Sequence, residues 1–280
     1  NDHIVTISKV THEIVKKVAP EVNATYLPHS VNPDIFKHLS DLQIQEIRNN
    51  SLQEEDRKKV IFFWNNRNAR RKQSGTLVWW FKEWLDKEAL HDKAALIMHT
   101  EPKDPHGQDL EHIIDHLGLK DRQIMLSTKK LPTEHLANLY NLVDCTINIS
   151  DAEGFGLATL ESLSCGTPII ATMTGGLQEQ VTDGDVEFGV GLVPRAKSVI
   201  GSQQVPYIYE DRVDKAQFHS ALSKIYKMGK KERRHLGTLG REHVEENYNF
   251  VELQQKWVEV IENIMEQKGN YNGIRFKEVA

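Results

Sequence analysis

Residues 145–161 read Cys-Thr-Ile-Asn-Ile-Ser-Asp-Ala-Glu-Gly-Phe-Gly-Leu-Ala-Thr-Leu-Glu. Cys145 to Ile149 is an apolar run of strand length, a polar loop with two glycines follows, and Leu157 opens a helix. Strand, glycine loop and helix in that order form the unit from which parallel sheets are built. Gly154 and Gly156 remove side chains where a ligand can approach the backbone, and the helix start offers unpaired amides suited to an anion. Glu153 lies in the loop and Glu161 about a turn and a half into the helix, so both carboxylates can face one cleft and accept hydrogen bonds from sugar hydroxyls. On spacing alone, a plain turn with two solvated glutamates remains equally open.

Outward from this unit the pattern repeats. Strand-like runs at Val60–Trp64, Ala94–Thr100, Gln123–Ser127, Cys145–Ile149, Pro168–Thr172 and Val190–Val193 alternate with helical periods. Leu77, Trp80, Phe81, Trp84 and Leu85 fall on one helix face and are read as core. Leu136, Leu139, Tyr140 and Val143 repeat the period after Pro132, with Thr133 as N-cap. The predicted fold is α/β, a doubly wound, Rossmann-like parallel sheet over residues 60–249, with ligands beyond the carboxyl ends of the strands. Residues 1–36 hold strand (Ile4–Ser8), helix (Thr11–Val18) and strand (Ala24–Leu27), too little for a core, and read as the end of another domain. Polar, charged residues 37–59 read as a linker or hinge. Residues 250–268 form a long amphipathic helix with Leu253, Trp257, Val260, Ile261 and Ile264 on one side, and 269–280 are a tail.

Composition narrows the function classes. A net charge of −5 argues against broad binding to a phosphate backbone. The longest apolar runs, such as Lys59–Trp64 and Thr167–Ala171, are strand-sized and too short for a membrane-spanning helix. The first ten residues lack a basic start, a long apolar centre and a small-residue cleavage site. Two cysteines, Cys145 and Cys165, suit buried free thiols in a reducing, cytoplasmic setting, with peripheral membrane contact left open. Neither a Walker sequence nor a G-x-G-x-x-G fingerprint is present, which removes the simplest ATPase and dehydrogenase readings.

Glu153 and Glu161 inside EGFGLATLES, followed by CGTPIIATMTGGLQEQVTDG, resemble the E-x7-E region of retaining GT-B glycosyltransferases of the large family 4, the glycosyl transferases group 1. The resemblance covers essentially the whole chain and is to the donor-binding half of those enzymes. It implies that Glu153 contacts the donor hexose and Glu161 the ribose, while Gly154, Phe155, Gly156 and Leu157 lay backbone against sugar and diphosphate. After VIFFW, the run Asn65-Asn-Arg-Asn-Ala-Arg-Arg-Lys72 carries Arg67 and Lys72 five apart, the family spacing for the pair that grips the diphosphate. A preorganised cation lowers the barrier as charge grows on the leaving group. Arg70 and Arg71 compete with Arg67 for that place. His29-Ser30 stand where the family has Asn-Gly more often.

The expectation is therefore hexose transfer from a nucleoside diphosphate sugar, of UDP or GDP type, to an acceptor hydroxyl of a glycan or lipid-linked sugar, with retention and without cofactor or metal. The alternative is a non-catalytic nucleotide-sugar-binding module, and a sugar-phosphate epimerase ranks third. The base is expected near Ser127–Pro132. Self-association through unpaired interdomain surfaces is a further expectation. Asp183-Gly-Asp185 has metal-binding spacing but reads as a turn. His112 and His116 lack the H-E-x-x-H arrangement. Glu179, in GG-x-x-E, is expected to cap or orient the phosphate loop, or to serve as a structural cap.

Overall fold

The computed structural model describes residues 3–120 and 122–268; the expected tail lies outside them. The chain opens with β1 (Ile4–Thr6), α1 (Lys9–Val18), β2 (Ala24–Tyr26) and α2 (Asp41–Ser51). Then come β3 (Val60–Asn65), α3 (Ser74–Glu88), β4 (Ala94–His99), α4 (Leu110–His116), β5 (Ile124–Ser127) and α5 (Thr133–Leu142). They are followed by β6 (Cys145–Asn148), α6 (Leu157–Ser164), β7 (Ile169–Thr172), α7 (Gln178–Val181) and β8 (Gly189–Leu192). A hairpin, β9 (Ala196–Ile200) and β10 (Ile208–Arg212), precedes α8 (Lys215–Lys227), α9 (Lys230–Asn247) and α10 (Phe250–Lys268).

β3 to β8 form one six-stranded sheet in the order β5-β4-β3-β6-β7-β8, with every neighbouring pair parallel. The alternation along β3 divides its core. Phe62 and Trp64 pack with Phe81 and Trp84 of α3 and Phe218 of α8. Ile61 and Phe63 pack on the other face with Tyr140, Leu160 and Val244, as the period of two in a strand covered on both faces requires. The aromatic stripe is core: Leu77, Phe81, Trp84 and Leu85 are fully buried, and Trp80 packs partly buried against them.

All six sheet strands lie within one residue of the expected bounds at each end. Three differences have clear physical causes. Residues 37–59 contain α2, started by a capping box of Ser40 and Gln43 and fixed by Arg48, whose guanidinium donates to the carbonyls of Leu142 (2.6 Å) and Lys59 (2.9 Å). The polar run is thus a docked surface helix. Thr133 is the first helical residue, and the cap position belongs to Pro132, without a side-chain cap bond. The β9–β10 hairpin was not anticipated, because its exposed residues include apolar and aromatic ones on both faces, among them Val199, Ile208 and Tyr209, and so mask the strand alternation.

β1 and β2 pair in parallel and sit beside the large sheet as a separate ribbon. They are tied to it by Glu179, whose carboxylate accepts from the Lys9 amide (2.8 Å) and the Tyr26 hydroxyl, while its carbonyl accepts from His243 (2.8 Å). Glu179 is therefore a structural tether, and burial raises the Tyr26 and Tyr248 hydroxyl pKa values around it.

Candidate active site

The chain leaves β3 toward β4 and β5 on one side and returns through β6 to β7 and β8 on the other, so the loops after β3 and β6 diverge at the switch in strand order. A crevice between such loops is where open parallel sheets bind ligands. The loop after β3 carries Lys72 in a short 3₁₀ turn (Arg70–Lys72), and the loop after β6 carries Glu153. The Lys72 ammonium is ion-paired with Glu153. Arg71 joins from the same side, its guanidinium donating to the Ala152 carbonyl at 2.6 Å and lying 3.4 Å from the Glu153 carboxylate. Burial lowers the Lys72 pKa, and the Glu153 carboxylate opposes the shift.

A third loop, after β7, closes on the first two. Gly175 has φ +49°, and a Cβ there would sit 1.7 Å from the Glu153 carbonyl oxygen, so this approach requires glycine. Gly156, at φ +96°, stands directly before α6, where a Cβ would meet Leu177 at 2.4 Å. Gly154 has space around it, with only Ile7 within reach at 3.8 Å. Phe155 is buried against His29 (5.3 Å) and Tyr248 (5.8 Å), and its carbonyl accepts from Gln180 at 2.8 Å. Phe155 thus anchors the loop through its ring and carbonyl. Leu157 is exposed at the start of α6, which has no side-chain cap, so the first amides of α6 have no cap side chain over them.

Glu161 projects from α6 to accept from the Tyr140 hydroxyl (2.7 Å), which in turn accepts from the Asn65 amide (2.8 Å). This chain of bonds crosses the switch from the end of β3 to α6. Burial pushes the Glu161 carboxyl up, and the Tyr140 bond opposes it. Buried polar atoms without a protein partner include Asn66 Nδ2, Thr100 Oγ1, Asn148 Nδ2 and Thr172 Oγ1, at or just past the carboxyl ends of β3, β4, β6 and β7. Such atoms are costly unless something polar reaches them.

Of the expected residues, Lys72, Glu153 and the glycine loop come together, with Glu161 behind them. Arg67 does not join them. It is exposed and pairs with Asp104 (2.7 Å) and His106 (2.7 Å), whose loop is pinned by the buried Asn68. Arg71, held open as its substitute, is the arginine beside Glu153. Asp151, Gln73, Glu210 and Arg212, which surround the pair, were not singled out; Glu210 and Arg212, two apart on one strand face, carry opposite charges, but that spacing alone does not point to a site. The Asp183 carboxylate accepts from the amides of Asp185 (2.9 Å) and Val186 (2.8 Å), which is a turn capping itself. Among the described residues no group of three or more His, Cys, Asp or Glu could hold a metal ion, and no helix is long and apolar enough to cross a membrane.

Residues 43–243 match the model of the family described as glycosyl transferases group 1. A D-inositol 3-phosphate glycosyltransferase of Paenarthrobacter aurescens is 36% identical over 76 residues, 27% of this chain and 18% of that one. The protein of that name in Mycolicibacterium smegmatis is 39% identical over 75 residues, 27% and 17% respectively. The fold is shared with sucrose-phosphate synthase from Thermosynechococcus elongatus (TM-score 0.74, 21% identity, 95% of this chain and 59% of that one). It is shared too with Anabaena Alr3699/HepE, solved with UDP and glucose (TM-score 0.70, 14% identity, 93% and 63%). The matched stretches thus span less than a fifth of those two relatives and about three fifths of those two structures. A parallel sheet of this order, glycine loops at its switch point and a family match over most of its length agree: the chain belongs to the glycosyl transferases group 1 family, of GT-B type.

Proposed function

We propose that this chain binds a nucleoside diphosphate sugar and forms the donor side of a retaining hexosyltransferase that works without a bound metal. The observation that carries the reading is the Lys72–Glu153 pair at the mouth of the sheet, with Arg71 beside it and Glu161 one helix further on. Glu153 takes the hexose hydroxyls and Glu161 the ribose. In transfer the bond from the anomeric carbon to the diphosphate breaks and its electron pair goes to the phosphate oxygen, while the acceptor oxygen bonds to that carbon and its proton passes to the departing diphosphate oxygen. Lys72 and Arg71 offer positive charge where the leaving group becomes more negative, and a partly desolvated cation is worth more there than in water. Arg67, on the same loop, is assigned the diphosphate by family resemblance and reaches it only on leaving Asp104. The complex of a similarly folded protein with UDP and glucose favours a nucleotide-sugar ligand of this kind, and two buried thiols suit a cytoplasmic setting.

Thermal shift with UDP, GDP, ADP and their sugar conjugates names the donor. Analysis of the anomeric configuration after incubation with labelled donor and a panel of glycans then tests transfer and retention. No stabilisation by any nucleotide in the panel would overturn the reading, and an inverted product would remove the retaining assignment.

A further inference from the structure

The Lys72–Glu153 pair is bracketed by a second set of charges that neither the family match nor the transfer chemistry uses. Arg70 reaches Glu210 with both terminal nitrogens, at 3.0 and 2.6 Å. Arg212 reaches the same carboxylate at 3.2 Å and Asp151 at 2.9 Å, and Gln73 donates to Asp151 at 2.5 Å. Asp151 and Glu210 are almost wholly buried, with two guanidiniums balancing two carboxylates. Backbone bonds run parallel to the ion pairs: the Asp151 amide donates to the Arg71 carbonyl (2.8 Å), and the Asp211 amide donates to the Asp151 carbonyl (2.9 Å).

Three segments meet in this network. Arg70 and Gln73 lie on either side of Lys72, Asp151 stands two residues before Glu153, and Glu210 and Arg212 belong to β10 of the hairpin. The hairpin therefore fixes the spacing between the two loops without itself supplying Lys72 or Glu153. The two carboxylates are buried while the Arg70 guanidinium is about half exposed, and a two-pronged pair to a buried carboxylate restricts geometry more than a single contact does.

We propose that the β9–β10 hairpin is a clamp, and that Glu210 and Arg212 are positioning residues that set Glu153 against Lys72 for recognition of the donor's sugar. This deepens the proposed function and rests on its assignment of Glu153 to the hexose. Glu161 is held from another direction, through Tyr140 and Asn65, so nucleotide binding through the ribose is independent of the clamp.

The test is calorimetry with UDP and UDP-glucose, the GDP and ADP pairs run in parallel, on the wild-type chain and on Glu210→Gln, Arg212→Gln, Arg212→Lys and Glu153→Ala. The readout is the sugar increment, meaning the ratio of affinity for the sugar conjugate to affinity for the bare diphosphate. Glu210→Gln and Arg212→Gln are expected to cut the increment about tenfold while bare nucleotide affinity falls by less, with a cooperative melting transition above the titration temperature showing that each variant is folded, and Arg212→Lys restores part of the increment. Added to Glu153→Ala, either substitution should have no further effect on the increment, because both act through that carboxylate. Full retention of the increment in folded Glu210→Gln and Arg212→Gln would overturn the clamp, as would equal losses for nucleotide and conjugate. If Glu153→Ala leaves the increment intact, the donor assignment itself falls, and the clamp with it.

Discussion

Glu161 and Glu153 sit eight positions apart and have different partners, so they should fail differently. Glu161→Ala is expected to weaken the bare nucleotide, whereas Glu153→Ala weakens mainly the sugar conjugate. A hydrogen bond to a charged group is worth about 1.5–3 kcal/mol, or roughly ten- to a hundredfold in affinity. Titration of both ligands against both variants checks this, and identical losses would contradict it. Glu161 and Lys72 predict opposite limbs of a pH profile. Burial raises the Glu161 pKa above the ordinary 4.5, so acidification should neutralise it, and weaken nucleotide binding, at a higher pH than for an exposed glutamate. Burial lowers the Lys72 pKa below the ordinary 10.5, so its charge is lost earlier as pH rises, and donor affinity should fall on the alkaline side. Glu161→Gln should flatten the acid limb and Lys72→Arg should move the alkaline limb upward; binding measured from acid to alkaline pH would show it. At this scale the glutamates, Lys72 and the glycines were legible through the family resemblance, since spacing alone left a plain turn equally open, and the structure brings Lys72 and Glu153 together. The choice among Arg67, Arg70 and Arg71 was not, since the direction of a guanidinium depends on which carboxylate the fold brings near, here Asp104, Glu210 and Glu153.

Among the elements, α3 buries Leu77, Val78, Phe81, Trp84 and Leu85 completely. Phe81 meets Phe62 at 5.9 Å and Trp84 at 5.5 Å, all fully buried. Phe81→Ala should therefore cost about 3–5 kcal/mol in unfolding free energy, measurable by denaturant titration, and a cost under about 1 kcal/mol would mean that the α3 face is not the core described. The six sheet strands could be read from sequence because the sheet is covered on both faces, most fully at β3, β4, β6 and β7, which leaves short apolar-rich runs between polar loops. The hairpin escaped because its pairing is antiparallel and its inward charges, Glu210 and Arg212, besides pairing with each other, find their partners Arg70 and Asp151 on loops far along the chain. Helix α2 escaped because a docked surface helix held by arginine contacts from Arg48, Arg57 and Arg234 looks, in composition, like a linker.

For the molecule as a whole, the apolar surface is uneven. On α10, Val260 is buried while Trp257, Val258, Ile261 and Met265 are each about half exposed, as is Ile14 of α1, and Val18 of α1 is more so. Val258→Ala and Ile261→Ala should then change stability by no more than about 0.5 kcal/mol. Melting at two protein concentrations checks this: a larger, concentration-dependent loss would show that another surface covers these residues in solution. The remainder of the molecule works as a frame for three loops, and its central claim is that those loops bind a nucleoside diphosphate with cations supplied by protein. The most direct test is calorimetric titration with the diphosphate selected by thermal shift, in EDTA and in magnesium, on the wild-type chain and on Lys72→Ala. Affinities within a few-fold of each other in the two buffers, with a loss of roughly tenfold or more in Lys72→Ala, are the predicted result; a tenfold or greater demand for the divalent ion, or no change in Lys72→Ala, would contradict the account.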